Sequence, residues 1–248
     1  LGTTFEFPLR TESLWLDWAL AASFLGQDME VKGFYFQVIE SRFRPRTFLD
    51  VGGNYGTHSI FFLSQGVDTV TVEPNPGCVS TFQALLEFNG MQGNIVEAAV
   101  GAEAATATLS FPTRETWLGN ITLGEEEAGS HPDLQTVTVP VVTLDQVVQE
   151  RGLQPGLVKI DTEGFELQVI LGARETLETH RPMVLFESNT APERTEIREA
   201  FKTLGYGIYR LNAALFESPE ELSETEFLAD VKTNFMALHV GHPMLRSV

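Results

Sequence analysis

Short apolar, β-branched runs that end in an acid or a glycine recur along the chain. Each is followed by a stretch whose apolar positions return every three or four residues. Residues 47–51, Thr-Phe-Leu-Asp-Val, read as a buried strand that runs into glycines, and Ile60, Phe61, Phe62 and Leu63 then supply a helical face. Residues 67–73 repeat the pattern and end in Glu73. After them Pro76 opens a helix with Val79, Phe82, Leu85, Leu86 and Phe88 on its buried side, and Asn89-Gly90 closes it. Strands are expected over 94–100, 106–111, 136–142, 157–161 and 182–187, the last two ending in Asp161 and Glu187. Helices are expected over 144–151, 165–173 and 195–204. Residues 206–211 and 234–239 read as two late strands, joined by an acidic loop over 216–230 and forming an antiparallel pair.

This alternation predicts an α/β fold with a Rossmann-like seven-stranded sheet, mostly parallel with the last strand antiparallel, and helices on both faces. Residues 41–248 form that domain. Residues 1–40 are expected to be a small helical addition packing on the core, because Leu14, Trp15, Trp18, Ala19, Leu20, Phe24, Phe34, Phe36, Val38 and Ile39 fall at partly helical spacing. That aromatic set serves either as ordinary core or as a lid over the site. Residues 112–132, with Trp117, are punctuated by glycine, glutamate and proline and read as a surface excursion whose Glu125-Glu126-Glu127 run is a solvated face.

Composition narrows the chemistry. At 248 residues and 43% hydrophobic content, the chain fills one α/β domain. The formal charge of −18 disfavours phosphate backbones and anionic lipid, so neither nucleic acid nor membrane is an expected partner. The single cysteine, Cys78, rules out an internal disulfide and fits a reducing, cytoplasmic compartment; it reads as a small packed residue. No apolar run is long enough for a membrane span, and residues 1–10 lack the order of a signal peptide. The first residue is Leu, which points to a start upstream or to trimming. Oligomeric state leaves no trace in the sequence.

The turn through Gly52, Gly53, Asn54 and Gly56 joins strand to helix, where backbone approaches a small molecule closely. Its spacing departs from the dinucleotide fingerprint, and Asp50 at the strand end would repel a pyrophosphate. An acid there suits the ammonium and sulfonium of S-adenosylmethionine better than NAD. Glu73 follows Asp50 at about the 20-residue distance of the acid that holds a ribose, with Pro74 and Asn75 beside it. Ala98 and Ala99 lie where an adenine would meet small side chains. Asp161 and Glu163 share one loop at the same sheet edge, and helix capping accounts for one of these acids more easily than for both. His58, early in the first helix after the turn, is either a base or a structural histidine.

Phe48-Leu-Asp-Val-Gly-Gly-Asn-Tyr-Gly56, Val72-Glu-Pro-Asn75, Val142-Thr-Leu-Asp145 and the long run from Val158 through Asp161-Thr-Glu-Gly-Phe-Glu166 to Ala173 together resemble the FkbM-type methyltransferases. The resemblance covers about residues 47–189. It implies S-adenosylmethionine as donor and a hydroxyl of a sugar or polyketide-like small molecule as acceptor. It also assigns Asp50, Gly52 and Gly56 to the methionine end, Glu73 to the ribose, and Asp161 with Glu163 to the side where methyl is transferred. Gly53-Asn54-Tyr55 and His58 depart from the family's usual residues. Asp161 or Glu163 is the expected base, with Glu187 binding the acceptor or assisting. A divalent metal such as magnesium held by these acids is the alternative. A nucleic-acid (RNA) methyltransferase and an NAD-dependent oxidoreductase are the rival activities on a similar fold.

Overall fold

The computed structural model describes residues 6–7, 21, 26, 28–112, 120–123, 134–211 and 219–246. Most of the N-terminal aromatic set, from Leu14 to Phe24, lies outside these residues, as do Trp117 and the Glu125–Glu127 run. What is described of the N-terminal segment includes helix α1 (Met29–Glu40).

The chain continues through β1 (Thr47–Val51), α2 (Thr57–Ser64), β2 (Asp68–Val72), α3 (Pro76–Phe88), β3 (Asn94–Val96), β4 (Ala99–Val100), β5 (Ala105–Pro112), β6 (Asn120–Leu123) and β7 (Leu134–Val142). Then follow α4 (Leu144–Arg151), β8 (Pro155–Ile160), α5 (Glu166–Leu171), α6 (Arg174–His180), β9 (Met183–Glu187), α7 (Ala191–Thr203), β10 (Tyr206–Arg210), α8 (Glu224–Ala229) and β11 (Asn234–His239). The main sheet has seven strands in the order β10-β11-β9-β8-β1-β2-β3. Pairs β1–β2, β2–β3, β1–β8 and β8–β9 are parallel, and β11 runs antiparallel to both β9 and β10. The strand order reverses direction between β1 and β8, so the crevice outside their C-terminal ends is the switch point where an open α/β sheet binds its ligand.

Alternation along each strand gives the sheet two different faces. Leu49 and Val51, Val70 and Val72, Val158 and Ile160, and Val184 and Phe186 point to one side, where they pack under α4 to α8 through Val147, Val169, Leu177, Phe201 and Phe227. Phe48, Leu157, Met183 and Leu185 point to the other, against Phe34, Tyr35 and Val38 of α1 and Phe62 of α2. On this second side the apolar pattern breaks at the C-terminal end, where Asp50, Thr71 and Lys159 are buried.

Two expected elements take a different form. Residues 94–100 are not one strand, because the Val96 carbonyl already accepts from the Glu73 and Ala98 amides and the chain leaves the sheet there. Ala99–Val100 joins Val141–Val142 instead, in a separate four-stranded sheet ordered β4-β7-β5-β6. The expected surface excursion therefore contains a paired strand, Asn120–Leu123, and the strands flanking it belong to this second sheet. The helix expected over 165–173 ends early and is succeeded by α6. A Cβ at Gly172 would stand 2.0 Å from the Gly101 carbonyl oxygen, so the backbones touch there, and both Asp145 carboxylate oxygens cap the next helix through the Glu175 and Thr176 amides.

Arg194 on α7 is buried and donates to the carbonyls of Ser188, Phe227, Asp230 and Lys232 at 2.6–2.9 Å, locking the β9 exit to the α8 region. Arg194→Met strands these acceptors. It is expected to cost about 3 kcal/mol or more, read as a fall of about 6–12 °C in melting temperature.

Candidate functional site

At the tip of β1 the chain turns sharply because the Gly52 and Gly53 amides both donate to the Val72 carbonyl. Gly52, Asn54 and Gly56 all hold positive φ, at 76°, 51° and 74°. The reason for glycine is contact with protein. A Cβ on Gly52 would lie 1.8 Å from the Asp161 carbonyl oxygen, one on Gly53 2.1 Å from the Thr71 methyl, and one on Gly56 2.2 Å from the Phe82 ring. The turn is thus pressed between the β2 and β8 tips, and α2 begins from it at Gly56 with no side-chain cap.

Two acids flank the turn. Asp50 is fully buried; its Oδ2 accepts from Ser59 Oγ at 2.6 Å, and its Oδ1 is buried without a partner among the described residues. Glu73 accepts from the Asn54 amide on one oxygen and the Asn75 amide on the other, both at 2.8 Å, so it ties the glycine turn to the β2 exit. Burial pushes its carboxyl up to about 7 against these two donors. Pro74 separates Glu73 from Asn75, whose side chain caps α3. Cys78 is buried beside them, with its Sγ 3.4 Å from Asn54 Oδ1; burial, then the Glu73 charge, raises its thiol far above the ordinary value, so it is a packed residue and no nucleophile.

The opposite wall comes from β8 and β9. Lys159 Nζ is buried and donates to Asp161 Oδ2 at 2.7 Å. Burial would raise the Asp161 carboxyl, yet the lysine charge and its hydrogen bond hold it below the ordinary value. Glu187 is hydrogen-bonded to Asp161 from the next strand tip. Burial first, and then the Asp161 charge, push Glu187 up to about 8. Glu163 lies exposed on the intervening loop at φ 54°, its carboxyl raised by partial loss of solvent and then by the Asp161 charge.

His58 is buried beneath α1. Its Nδ1 lies 3.0 Å from Tyr35 Oη and its Nε2 3.6 Å from Asp28 Oδ2. Burial, followed by the charge of Lys159, keeps the ring neutral, which fits Nε2–H facing the carboxylate and Nδ1 accepting from tyrosine. Ala98 and Ala99 are both buried, and Ala99 packs in the core of the second sheet. Among the described residues no group of three or more His, Cys, Asp or Glu is placed to hold a metal ion.

Sequence reasoning passed over Lys159, Asp28, Tyr35 and Glu166. Glu166 accepts from the Thr162 amide and hydroxyl and from the Gly164 amide, which fixes the Glu163 loop. For Lys159 a signal existed: a cation inside an apolar strand, two residues before Asp161 and therefore on the same face.

The arrangement gathers acids at the tips of β1, β2, β8 and β9 around one switch point. Comparison with known proteins agrees in class. Residues 50–208, well over half of the chain, match the family described as Methyltransferase FkbM domain. The hexuronic acid methyltransferase AglP of Haloferax volcanii is 29% identical over 132 residues, 52% of this chain and 51% of that protein, so the chain spans about half the length of that curated relative. Among solved structures, the methyltransferase FkbM from Methylobacillus flagellatus KT is 15% identical with a TM-score of 0.47, over 93% of this chain and 55% of that one. Precorrin-6y C5,15-methyltransferase from Geobacter metallireducens GS-15 is 11% identical with a TM-score of 0.46, over 95% and 92%. The chain belongs to the FkbM methyltransferase family.

Proposed function

We propose that this protein transfers methyl from S-adenosylmethionine to a hydroxyl of a sugar or comparable small molecule. The observation that carries the reading is the ring of acids around the switch point, with Asp50 Oδ1 buried and lacking a partner among the described residues. Such an atom suits a cationic donor and would be repelled by a pyrophosphate. Each Glu73 oxygen accepts one backbone N–H and retains a lone pair for a ribose hydroxyl. The donor supplies a methyl already activated on a sulfonium. What remains for this chain is to align the acceptor and to take its proton.

The Asp161–Glu187 pair does the second task. While Glu187 is protonated the free carboxylate is Asp161, which Lys159 makes a weak base, so turnover rises with pH as the raised Glu187 loses its proton. Glu163, exposed at the mouth, contacts the acceptor. His58, with both nitrogens engaged, supports α1 over the site.

The test is incubation with methyl-labelled S-adenosylmethionine and a panel of sugars that includes glucuronic acid, the class suggested by AglP, with the product's methyl position read by NMR. An O-methyl sugar is the expected product; label on RNA, or on no acceptor, would remove the reading. EDTA separates the two routes to deprotonation: activity kept in EDTA fits the carboxyl pair, and loss with recovery on added magnesium would favour the metal route.

A further inference from the structure

We propose that Lys159 is a positioning residue of the proton-transfer pair: its ammonium pins Asp161 as an anion and leaves Glu187 as the group that exchanges a proton with the acceptor. The inference rests on the methyltransfer reading above. Three geometric facts carry it. Lys159 stands opposite Asp50 in the β1–β8 register and opposite Leu185 in the β8–β9 register, so its side chain rises from the sheet between the donor side and the acceptor side. Asp161 and Glu187 each lie one residue past the paired Ile160 and Phe186, which sets the two carboxyls side by side at the strand tips. Finally, the buried Nζ makes its 2.7 Å contact with Asp161, the inner member of the pair.

The surrounding charges explain why a lysine tolerates this burial. Asp50 from β1, Asp161 from its own strand and Asp28 from the start of α1 all hold it charged. Burial and then Lys159 lower the His58 ring of α2, and burial, then Asp50, Asp28 and Asp161, raise the Tyr35 hydroxyl of α1. Glu163 and Glu187 complete the ring on the acceptor side. Lys32 of α1 also faces Asp28, but Lys159 is the cation that acts on the pair, and removing it makes Asp161 and Glu187 harder to ionise. During turnover the acceptor oxygen forms its bond to the methyl carbon, the carbon–sulfur bond breaks, and the hydroxyl proton passes to the deprotonated Glu187.

The test needs no acceptor. Intact protein carrying 13C-carboxyl Asp and Glu is titrated by NMR, with Asp161→Asn and Glu187→Gln assigning the two resonances. In the wild type Asp161 is expected to stay ionised across the neutral range while Glu187 titrates. In Lys159→Met the Glu187 midpoint moves up by about one pH unit or more, and in Lys159→Arg it stays near the wild-type value. An unmoved midpoint in Lys159→Met overturns the proposal. So does a wild type in which Asp161 and Glu187 titrate together near neutrality, a result that decides the matter even if Lys159→Met fails to fold. Adenosylhomocysteine binding on the same wild-type sample separates this outcome from failure of the methyltransfer reading.

Discussion

Glu187→Gln is expected to lower kcat by about 10²–10⁴-fold, the usual worth of a positioned base, while adenosylhomocysteine binds within a few-fold of wild type. The amide keeps the size of the side chain and can still donate to Asp161, but it cannot take a proton. The residue stands at the β9 tip, across from the glycine turn, so its loss leaves the Asp50 and Glu73 contacts intact. A split of this kind, with turnover lost and donor affinity kept, is the signature of a group that acts only as the acceptor is deprotonated. Equal losses in both would mean that Glu187 shapes the donor pocket instead.

Gly52→Ala is expected to do the opposite. Its Cβ would sit 1.8 Å from the Asp161 carbonyl oxygen, and a left-handed φ of 76° adds about 1–2 kcal/mol of strain for any side chain. Relief requires the β1 turn and the β8 exit to separate. That moves the Asn54 amide off Glu73 and Asp161 off its place beside Glu187 in one step. A displacement on the order of 1 Å at such a site costs about 10²-fold in turnover, and adenosylhomocysteine affinity should fall with it, together with the melting temperature. Wild-type affinity in Gly52→Ala would mean that the turn and the β8 loop are not held in contact.

Much of this was legible because the strands announce their own ends. A β-branched run closing on an acid or glycine marked the tips of β1, β2, β8 and β9, and the order of those runs along the chain predicted the sheet edge they share. The Asn234–His239 and Tyr206–Arg210 strands were likewise readable, as was their antiparallel pairing. What stayed hidden depends on partners far apart in sequence. Ala107, Leu109 and Phe111 alternate as any half-buried strand does, and nothing local says that they pair with Val139 and its neighbours in a second sheet. The glycines of the turn look like concessions to a ligand, whereas the groups they make room for are Asp161, Thr71 and Phe82, brought in from three other elements. His58 meets Asp28 and Tyr35 only because α1 folds back across the sheet, which no spacing rule reveals.

On the proposed reading, acids gathered at neighbouring strand tips create a site for a cationic methyl donor. Isothermal titration calorimetry of the purified protein with adenosylhomocysteine, and with NADH in a parallel run, tests it most directly. Saturable binding of adenosylhomocysteine at one site, with no response to NADH, is the predicted result; no heat with adenosylhomocysteine, or saturation by NADH, would contradict it.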